Sequence, residues 1–561
     1  MLQLPMKNII LTTLNARYSH TSLGLRYLIA NLKELKEQAE ILEFVINSSN
    51  QTIAEKILET KPKIVGIGVY IWNAYDVGEL VKIIKKVSPQ TIVVLGGPEV
   101  SYETEFFLNT WNIDYIISGE AEFVLEELIG NIKNRDDVKS PHVAYANNLI
   151  SQPAVANIEK LEKLDSPYQL DRDKNLIPTK ISYFESSRGC PYMCQYCLSS
   201  LEGNVRYFST NYIDSQLTYL FNNGSKTVKF LDRTFNLNRK HTLFVFDLIK
   251  KLHNSKTVCQ FEIYADIMPS EMIDYINTFP KDFIRFEIGI QSTYEETNKA
   301  VKRIQNFDKI RENVDRLHEG GVVDLHLDLI AGLPYETCER FKDSFNEVFS
   351  LRAKEVQLGF LKLLRGTNLR KQAEIYGYLY DLEGPYEIYQ NNSLSVEDVS
   401  RIKIVEDMLE KYWNSGRFKG TMDIIFSKEE NKNYFEWFYQ LGLFYAKQGI
   451  PRIGHHLDQI YRALHDFIKP EGILLKTLLL DYYGQFKIRP KRFIEPTLET
   501  KEKKQFIRLL LKDNLFMSKN DLDPSILYKY TYYEKINKNQ YLLIQYKDNN
   551  SKFIEYNINQ L

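Results

Sequence analysis

Short apolar runs at Lys7–Thr12, Ile41–Asn47, Ile64–Tyr70 and Thr91–Leu95 read as strands. Between them, Leu23–Glu37, Thr52–Thr60 and Ala74–Val87 repeat apolar residues at the three- and four-residue spacing of a helix. Tyr115–Ser118 adds a fifth strand and Ala121–Ile132 the helix after it. Strands alternating with amphipathic helices predict a parallel, doubly wound sheet of the Rossmann type over residues 1–135. Such sheets bind ligands beyond the carboxyl ends of their strands, so the loops at those ends are the ones that matter.

Residues 136–179 are polar, irregular and broken by Pro141, Pro153, Pro167 and Pro178, and they read as a linker. A second strand–helix series then runs over 180–398, with strands at Lys180–Phe184, Thr227–Leu231, Gln260–Tyr264, Phe283–Ile288, Asp324–Ile330 and Glu355–Leu361. Six such units predict a partial parallel (β/α)6 barrel with its chemistry on the carboxyl-end loops. From 399 to 561 the rhythm stops, and the pattern predicts a mainly α domain with a tail rich in Lys, Tyr and Asn. The fold class is thus α/β in two successive units with a helical C-terminal domain.

A length of 561 residues exceeds one hydrophobic core, in keeping with several domains. A hydrophobic share of 44%, a charged share of 26% and a net charge of −1 are those of a soluble globular chain with no overall bias toward nucleic acid or membrane. No apolar run is long enough to span a bilayer and no secretory leader is visible, so a cytoplasmic location is expected. Five cysteines cannot form a disulfide framework. Three of them, Cys190, Cys194 and Cys197, crowd into eight residues, which suits a metal site in a reducing compartment.

The segment Arg188-Gly-Cys-Pro-Tyr-Met-Cys-Gln-Tyr-Cys197 follows the first strand of the second series with C-x3-C-x2-C spacing. Three thiolates on one loop can ligate three irons of a 4Fe–4S cubane and leave the fourth open to a substrate. A structural zinc site wants four ligands, and no fourth cysteine lies at the usual spacing. The motif and its place in a strand–helix series resemble the radical S-adenosylmethionine (radical SAM) superfamily. That resemblance implies a cluster on the three cysteines and reductive cleavage of S-adenosylmethionine to a 5′-deoxyadenosyl radical. It also implies a one-electron donor such as flavodoxin or ferredoxin. Tyr196, the aromatic before the last cysteine, is then expected to pack near the adenine. Phe261-Glu-Ile-Tyr-Ala-Asp266 resembles the family's third-strand motif and points to Glu262, and Glu287-Ile-Gly-Ile-Gln-Ser292 resembles the fourth and points to Gln291. Arg303 resembles the arginine that pairs the methionine carboxylate, a task suited to a guanidinium fork. Leu327-Asp-Leu-Ile-Ala-Gly-Leu-Pro-Tyr-Glu336 resembles the fifth-strand motif, with Asp328 near the ribose and Gly332 allowing close approach. The glycine-rich second-strand motif of many relatives is replaced by Phe230-Leu-Asp-Arg-Thr-Phe-Asn236, in which Asp232 is the candidate acceptor.

The first domain resembles the cobalamin-binding domain that precedes the radical domain in many such proteins. Its loops carry Tyr18, Ser19 and Gly24 after the first strand, Tyr70 after the third, Gly96 and Gly97 after the fourth, and Gly119 before the last helix. These are the expected cobalamin contacts. The D-x-H-x-x-G motif that ligates cobalt is absent, and His20 has neither its spacing nor an Asp partner. Members with both cofactors commonly methylate unactivated carbon, which is the leading expectation for an unknown small-molecule, peptide or RNA substrate. Alternatives are another radical rearrangement or sulfur chemistry, RNA modification, and a non-catalytic cobalamin or redox sensor. RNA modification would draw on a basic tail that interleaves bases and aromatics at Ile488–Phe493 and Tyr528–Tyr533. A monomer or weak oligomer is expected, and no catalytic side chain can be named.

Overall fold

The computed structural model describes residues 7–486, 488, 490–494, 498, 500–512, 529–547 and 550–557. Two compact units emerge, one of residues up to 341 together with 357–399, the other of 342–356 and the chain from 400 onward.

The first unit opens with β1 (Ile9–Asn15), α1 (Leu23–Asn31), β2 (Ala39–Val45), α2 (Asn50–Leu58), β3 (Ile64–Gly68), α3 (Ala74–Val87), β4 (Ile92–Gly96), α4 (Thr104–Thr110), β5 (Tyr115–Ile117) and α5 (Glu122–Asn134). The strand order β2-β1-β3-β4-β5 is parallel throughout, with its switch point at β1 and β3. Every residue of β1 is buried, as a central strand covered on both faces requires. The predicted helix from Leu23 stops at Asn31 and continues as a 3-10 segment over Lys33–Gln38. The supposed linker is more than a spacer: β6 (Val143–Ala144) adds an antiparallel edge to β5, and Asp173 holds Arg26 of α1 through contacts of 2.6 and 2.9 Å.

The second series forms an open sheet of β7 (Ser182–Phe184), β10 (Thr227–Phe230), β11 (Val258–Ile263), β12 (Ile284–Gln291), β13 (Val323–Ala331) and β14 (Glu355–Phe360), in that spatial order. In the chain between β7 and β10, two short strands, β8 (Ser187–Arg188) and β9 (Arg206–Tyr207), pair antiparallel apart from this sheet. The sheet does not close on itself, which is the partial barrel read from the sequence. Phe184, Phe230, Phe261 and Phe286 lie side by side on its outer face, where Phe246 of the helix Arg239–Leu252 packs on Phe261 and Phe286. A second hairpin, β15 (Leu379–Tyr380) with β16 (Ile388–Gln390), follows β14.

In the second unit, helices such as Tyr434–Lys447, Leu457–Ile468 and Gly472–Gly484 are followed by an antiparallel sheet of β17 (Thr531–Lys535), β18 (Gln540–Lys547) and β19 (Asn550–Asn557). The mainly helical reading therefore omits a terminal three-stranded sheet. Among the described residues no helix is long and apolar enough to cross a membrane.

Candidate active site

The β8–β9 hairpin grips the base of the cysteine loop by pairing Ser187 with Tyr207 and Arg188 with Arg206. Gly189 turns the chain into the loop at φ +93°, where a Cβ would stand 2.5 Å from the Asn204 carbonyl, so only glycine fits. Arg188 meets Glu120 from the loop before α5 at 3.1 Å and Glu122, the first residue of α5, at 2.8 Å, meets Glu185 at 2.8 Å, and lies over the Tyr27 ring at 4.9 Å. Arg206 also holds Glu120. Burial alone would raise Glu120, but the Arg206 hydrogen bond and the Arg188 charge outweigh it and keep this carboxyl below its ordinary value. Glu185 is raised by burial in spite of Arg188.

Within Phe230–Asn236, alternate polar residues brace this loop. Asp232 accepts from Ser186 N, Ser186 Oγ and Ser187 Oγ at 3.0, 2.6 and 2.5 Å. Thr234 Oγ1 is 3.7 Å from Cys190 Sγ. Asn236 pins Tyr264 by accepting from its N at 2.9 Å and donating to its carbonyl at 2.7 Å. Asp232 thus faces the serines under the cysteine loop and stands outside the cavity above it. His241 Nε2 lies 2.8 Å from Ser186 Oγ, which already donates to Asp232, so the imidazole is the donor here. Burial pushes His241 down to about 4. The unfolded chain binds the His241 proton more readily, so stability falls as pH drops from 6.5 toward 4. Relative to His241→Gln, the wild type is expected to lose roughly 3 kcal/mol over that window. Denaturant titration at several pH values checks this, and parallel curves for the two proteins would refute it.

A cavity of about 290 Å³ is lined by all three cysteines together with Tyr196, Glu262, Gln291, Arg303 and Asp328. Five of the seven residues expected to face S-adenosylmethionine are therefore brought together with the thiols. Among the described residues no three His, Cys, Asp or Glu side chains converge on a single ion position. A cubane asks for a different arrangement, one thiolate on each of three irons. Gln291 sits at φ +69° beside a register shift in the β12–β13 pairing. Its Oε1 is buried with no hydrogen-bond partner in the structure, and backbone strain of this kind marks positions that face a ligand. Glu262, Glu287 and Asp328 make the barrel side of the cavity acidic. Burial raises Glu262, and the nearby Glu287 and Asp328 charges add to the rise while Arg233 and Lys229 oppose it. Arg303 is buried and committed: it donates to Tyr264 OH at 2.8 Å, Tyr196 OH at 3.3 Å, the Gly289 carbonyl and Gln305 Oε1. Gly332 lies away from the cavity. Its carbonyl accepts from Tyr378 OH and Asn391 Nδ2 at 2.9 Å each, and a Cβ would run into Ile388.

A second cavity of about 310 Å³ opens at the carboxyl ends of the first sheet, lined by Gly24, Gly66, Gly68, Tyr70, Gly96, Gly97 and Gly119. Arg188, Gly189 and Arg233 complete its far wall, and Arg233 lines the cysteine cavity too. The glycines serve different ends. A Cβ on Gly97 would lie 2.5 Å from the Val69 carbonyl and one on Gly119 2.4 Å from Ala154, so packing alone demands both. A Cβ on Gly96 or Gly24 would meet nothing closer than 3.8 Å, leaving room at the cavity wall. Tyr18 and Ser19 stand outside it. The Tyr18 ring is exposed beneath Lys180 Nζ, and the Ser19 carbonyl accepts from Ile181 N at 2.9 Å, so both dock the first loop on the start of β7. His20 pairs with Tyr183 OH in the same contact.

In the tail, Tyr533 is buried, Tyr532 OH donates to the Pro490 carbonyl at 2.5 Å, and Arg492 is paired with Glu534 at 2.6 Å. These groups pack the terminal sheet and are not presented to a nucleic-acid backbone. Arg489 and Tyr528 lie outside the described residues. Tyr192, Arg233, Tyr264 and Glu287 also line the cysteine cavity and Thr234 lies beside Cys190, and sequence reasoning passed over all five. Arg233, Thr234 and Tyr264 sit inside quoted motifs one or two positions from the residue singled out, and Glu287 opens the motif that pointed to Gln291.

Comparison with known families divides the chain into three matches. Residues 9–129 match the B12 binding domain, 184–348 the radical SAM superfamily, and 374–555 a protein family of unknown function, DUF4080. An uncharacterized methyltransferase of Pyrococcus horikoshii is 29% identical over 41% of this chain and 52% of its own length. The cobalamin-dependent radical SAM methyltransferase TokK of Streptomyces tokunonensis is 22% identical over 53% of this chain and 46% of its own. The chain thus spans about half the length of these curated relatives. The solved structure of the cobalamin-dependent radical enzyme OxsB shares the fold with a TM-score of 0.60 at 13% identity, covering 86% of this chain and 81% of that one.

Proposed function

We propose that this chain, a radical SAM protein with a B12-binding domain ahead of its barrel and a DUF4080 extension behind it, is a cobalamin-dependent enzyme that methylates an unactivated carbon of its substrate. The observation that carries the reading is Arg233, which forms wall for both the cysteine cavity and the glycine-lined cavity, so that a substrate at this junction reaches both. When bound, the cluster with S-adenosylmethionine supplies a hydrogen-abstracting radical and cobalamin supplies the methyl group. The donor set fits these groups. Three thiols within one braced loop suit three irons with a fourth left open. The acidic wall of Glu262, Glu287 and Asp328 favours the sulfonium and ammonium charges of S-adenosylmethionine, and the unpartnered Gln291 carbonyl offers an acceptor to the amino group. Arg303 stands beside that position for the carboxylate, and Tyr196 presents a ring to the base. In the second cavity, Gly24, Tyr70 and Gly96 line the space for cobalamin, with Gly97 and Gly119 shaping its backbone.

This chain's own contribution is positioning and exclusion of water. Arg188 and the β8–β9 hairpin fix the loop, Asp232 holds its root, and buried Leu11, Val94, Leu95 and Ile117 give the glycine-lined cavity an apolar floor. A one-electron reductase of the flavodoxin or ferredoxin type is the partner this chemistry requires. The reading is tested by anaerobic reconstitution with iron, sulfide and cobalamin, followed by reduction with S-adenosylmethionine present. Stoichiometric cobalt, about four irons per chain and release of 5′-deoxyadenosine are expected. A product one methylene heavier than its substrate would establish methylation. Iron without cobalt would remove the cobalamin part of the reading.

A further inference from the structure

We propose that Tyr264 and Thr234 set the reduction potential of the cluster by donating hydrogen bonds to Sγ of Cys194 and Cys190, with Arg303 orienting the tyrosine. This rests on the cluster reading above and deepens it. Tyr264 OH lies 3.9 Å from Cys194 Sγ, and Thr234 Oγ1 3.7 Å from Cys190 Sγ, both within reach of an O–H to sulfur contact. The direction of the Tyr264 bond follows from proton accounting. Arg303 Nη1 donates to Tyr264 OH at 2.8 Å, and a guanidinium has no acceptor to offer in return. The phenol hydrogen is therefore free to point elsewhere, and a cysteine thiolate is the acceptor beside it. Arg303 Nη1 itself approaches the same sulfur at 4.0 Å, which adds positive charge on that side of Cys194.

The tyrosine is held for this task from three directions. Tyr192 stacks on it with ring centroids 4.1 Å apart and planes within 4°. Arg303 lies over its ring at 4.7 Å, and Asn236 clamps its backbone on both sides. Thr234 and Asn236 come from the same short segment after β10, so one stretch of chain supplies a donor to Cys190 and the clamp on the donor to Cys194. The residues that take the place of the glycine-rich motif thus have a use of their own.

Hydrogen bonds to cluster sulfurs withdraw electron density and stabilise the reduced, more negative form, which raises the potential. No bond is made or broken. Only the balance between oxidised and reduced cluster moves.

The test is a redox titration of the anaerobically reconstituted full-length chain, with the paramagnetic signal of the reduced cluster followed against applied potential. Tyr264→Phe keeps the ring stack and removes only the hydroxyl, and Thr234→Val keeps the shape of threonine without its donor. Each is expected to lower the reduced-to-oxidised ratio about tenfold at fixed potential, a shift of about 59 mV for one electron. Thr234→Ser is expected to restore the wild-type value. Tyr275→Phe, whose hydroxyl bonds Asp247 outside this cavity, is expected to leave it unchanged. Iron-replete Tyr264→Phe and Thr234→Val proteins with unshifted potentials would overturn this proposal and leave the cluster reading intact. A wild-type chain that takes up no iron would overturn both. If Tyr264→Phe alone loses iron, the Thr234 pair decides.

Discussion

Replacing Cys194 with alanine is expected to cut the iron retained after anaerobic reconstitution from about four atoms per chain to background, and 5′-deoxyadenosine release with it. Cys190 and Cys194 are buried, and the chain places them on a loop anchored by Gln195 N to the Val301 carbonyl and by Leu369 N to the Gln195 carbonyl. A side chain from elsewhere cannot slide in to complete the set. The loss should therefore be close to total, and the same holds for Cys190 and Cys197. Cys259 and Cys338 are also buried but line neither cavity, so alanine at either position serves as the comparison. Iron analysis beside a deoxyadenosine assay reads the result. Full iron with undiminished cleavage in Cys194→Ala would end the cluster reading.

Arg188→Met is expected to destabilise the protein by about 3–5 kcal/mol, because it strips the cation from three buried carboxylates while leaving them in place. Arg206 still serves Glu120, but Glu122 and Glu185 lose their nearest positive charge. Burial already raises Glu185 against the pull of Arg188, so without that charge this carboxyl rises further in the variant. A carboxyl raised in the folded state binds its proton more tightly there, and stability is gained as pH falls. The deficit of Arg188→Met relative to wild type should be wider at pH 8 than at pH 5. Chemical denaturation at the two pH values measures it, and a deficit independent of pH would show that lost packing, not uncompensated charge, is the cause. Adding Glu185→Gln to the variant should recover part of the loss.

Much of this molecule was legible before any coordinates. The helix Ala74–Val87 was bounded correctly from its periodicity, and the six barrel strands fall within three residues of their expected ends. Strand and helix periods report burial, and burial dominates these elements. The cysteines, Glu262, Gln291, Arg303 and Asp328 line one cavity because motif spacing on successive strands translates directly into proximity at the carboxyl ends. What escaped depends on contacts between distant segments. Nothing local in Asp232 says that two serines forty-five residues earlier will occupy its oxygens. Gly97 and Gly119 were read as making room for a ligand, whereas a neighbouring backbone demands them first. Tyr18 and Ser19 were placed at a ligand by their position after β1, but the loop bends toward Lys180 and Ile181 instead. The stretch 136–179 looked like spacer because a two-residue strand and one buried aspartate leave no periodic trace.

The grip of Glu120 and Glu122 on Arg188 bears on how far these parts can be treated as interchangeable cassettes. Excised at residue 180, the iron-holding part would lose two of the three counterions of Arg188 and the Tyr27 ring that covers it, at the very root of the loop that must capture metal. The N-terminal half, cut free, would present those two acids with nothing to neutralise them. Shuffling either half with a foreign partner would therefore succeed only where the donor brings a matching acid–base set at the same seam.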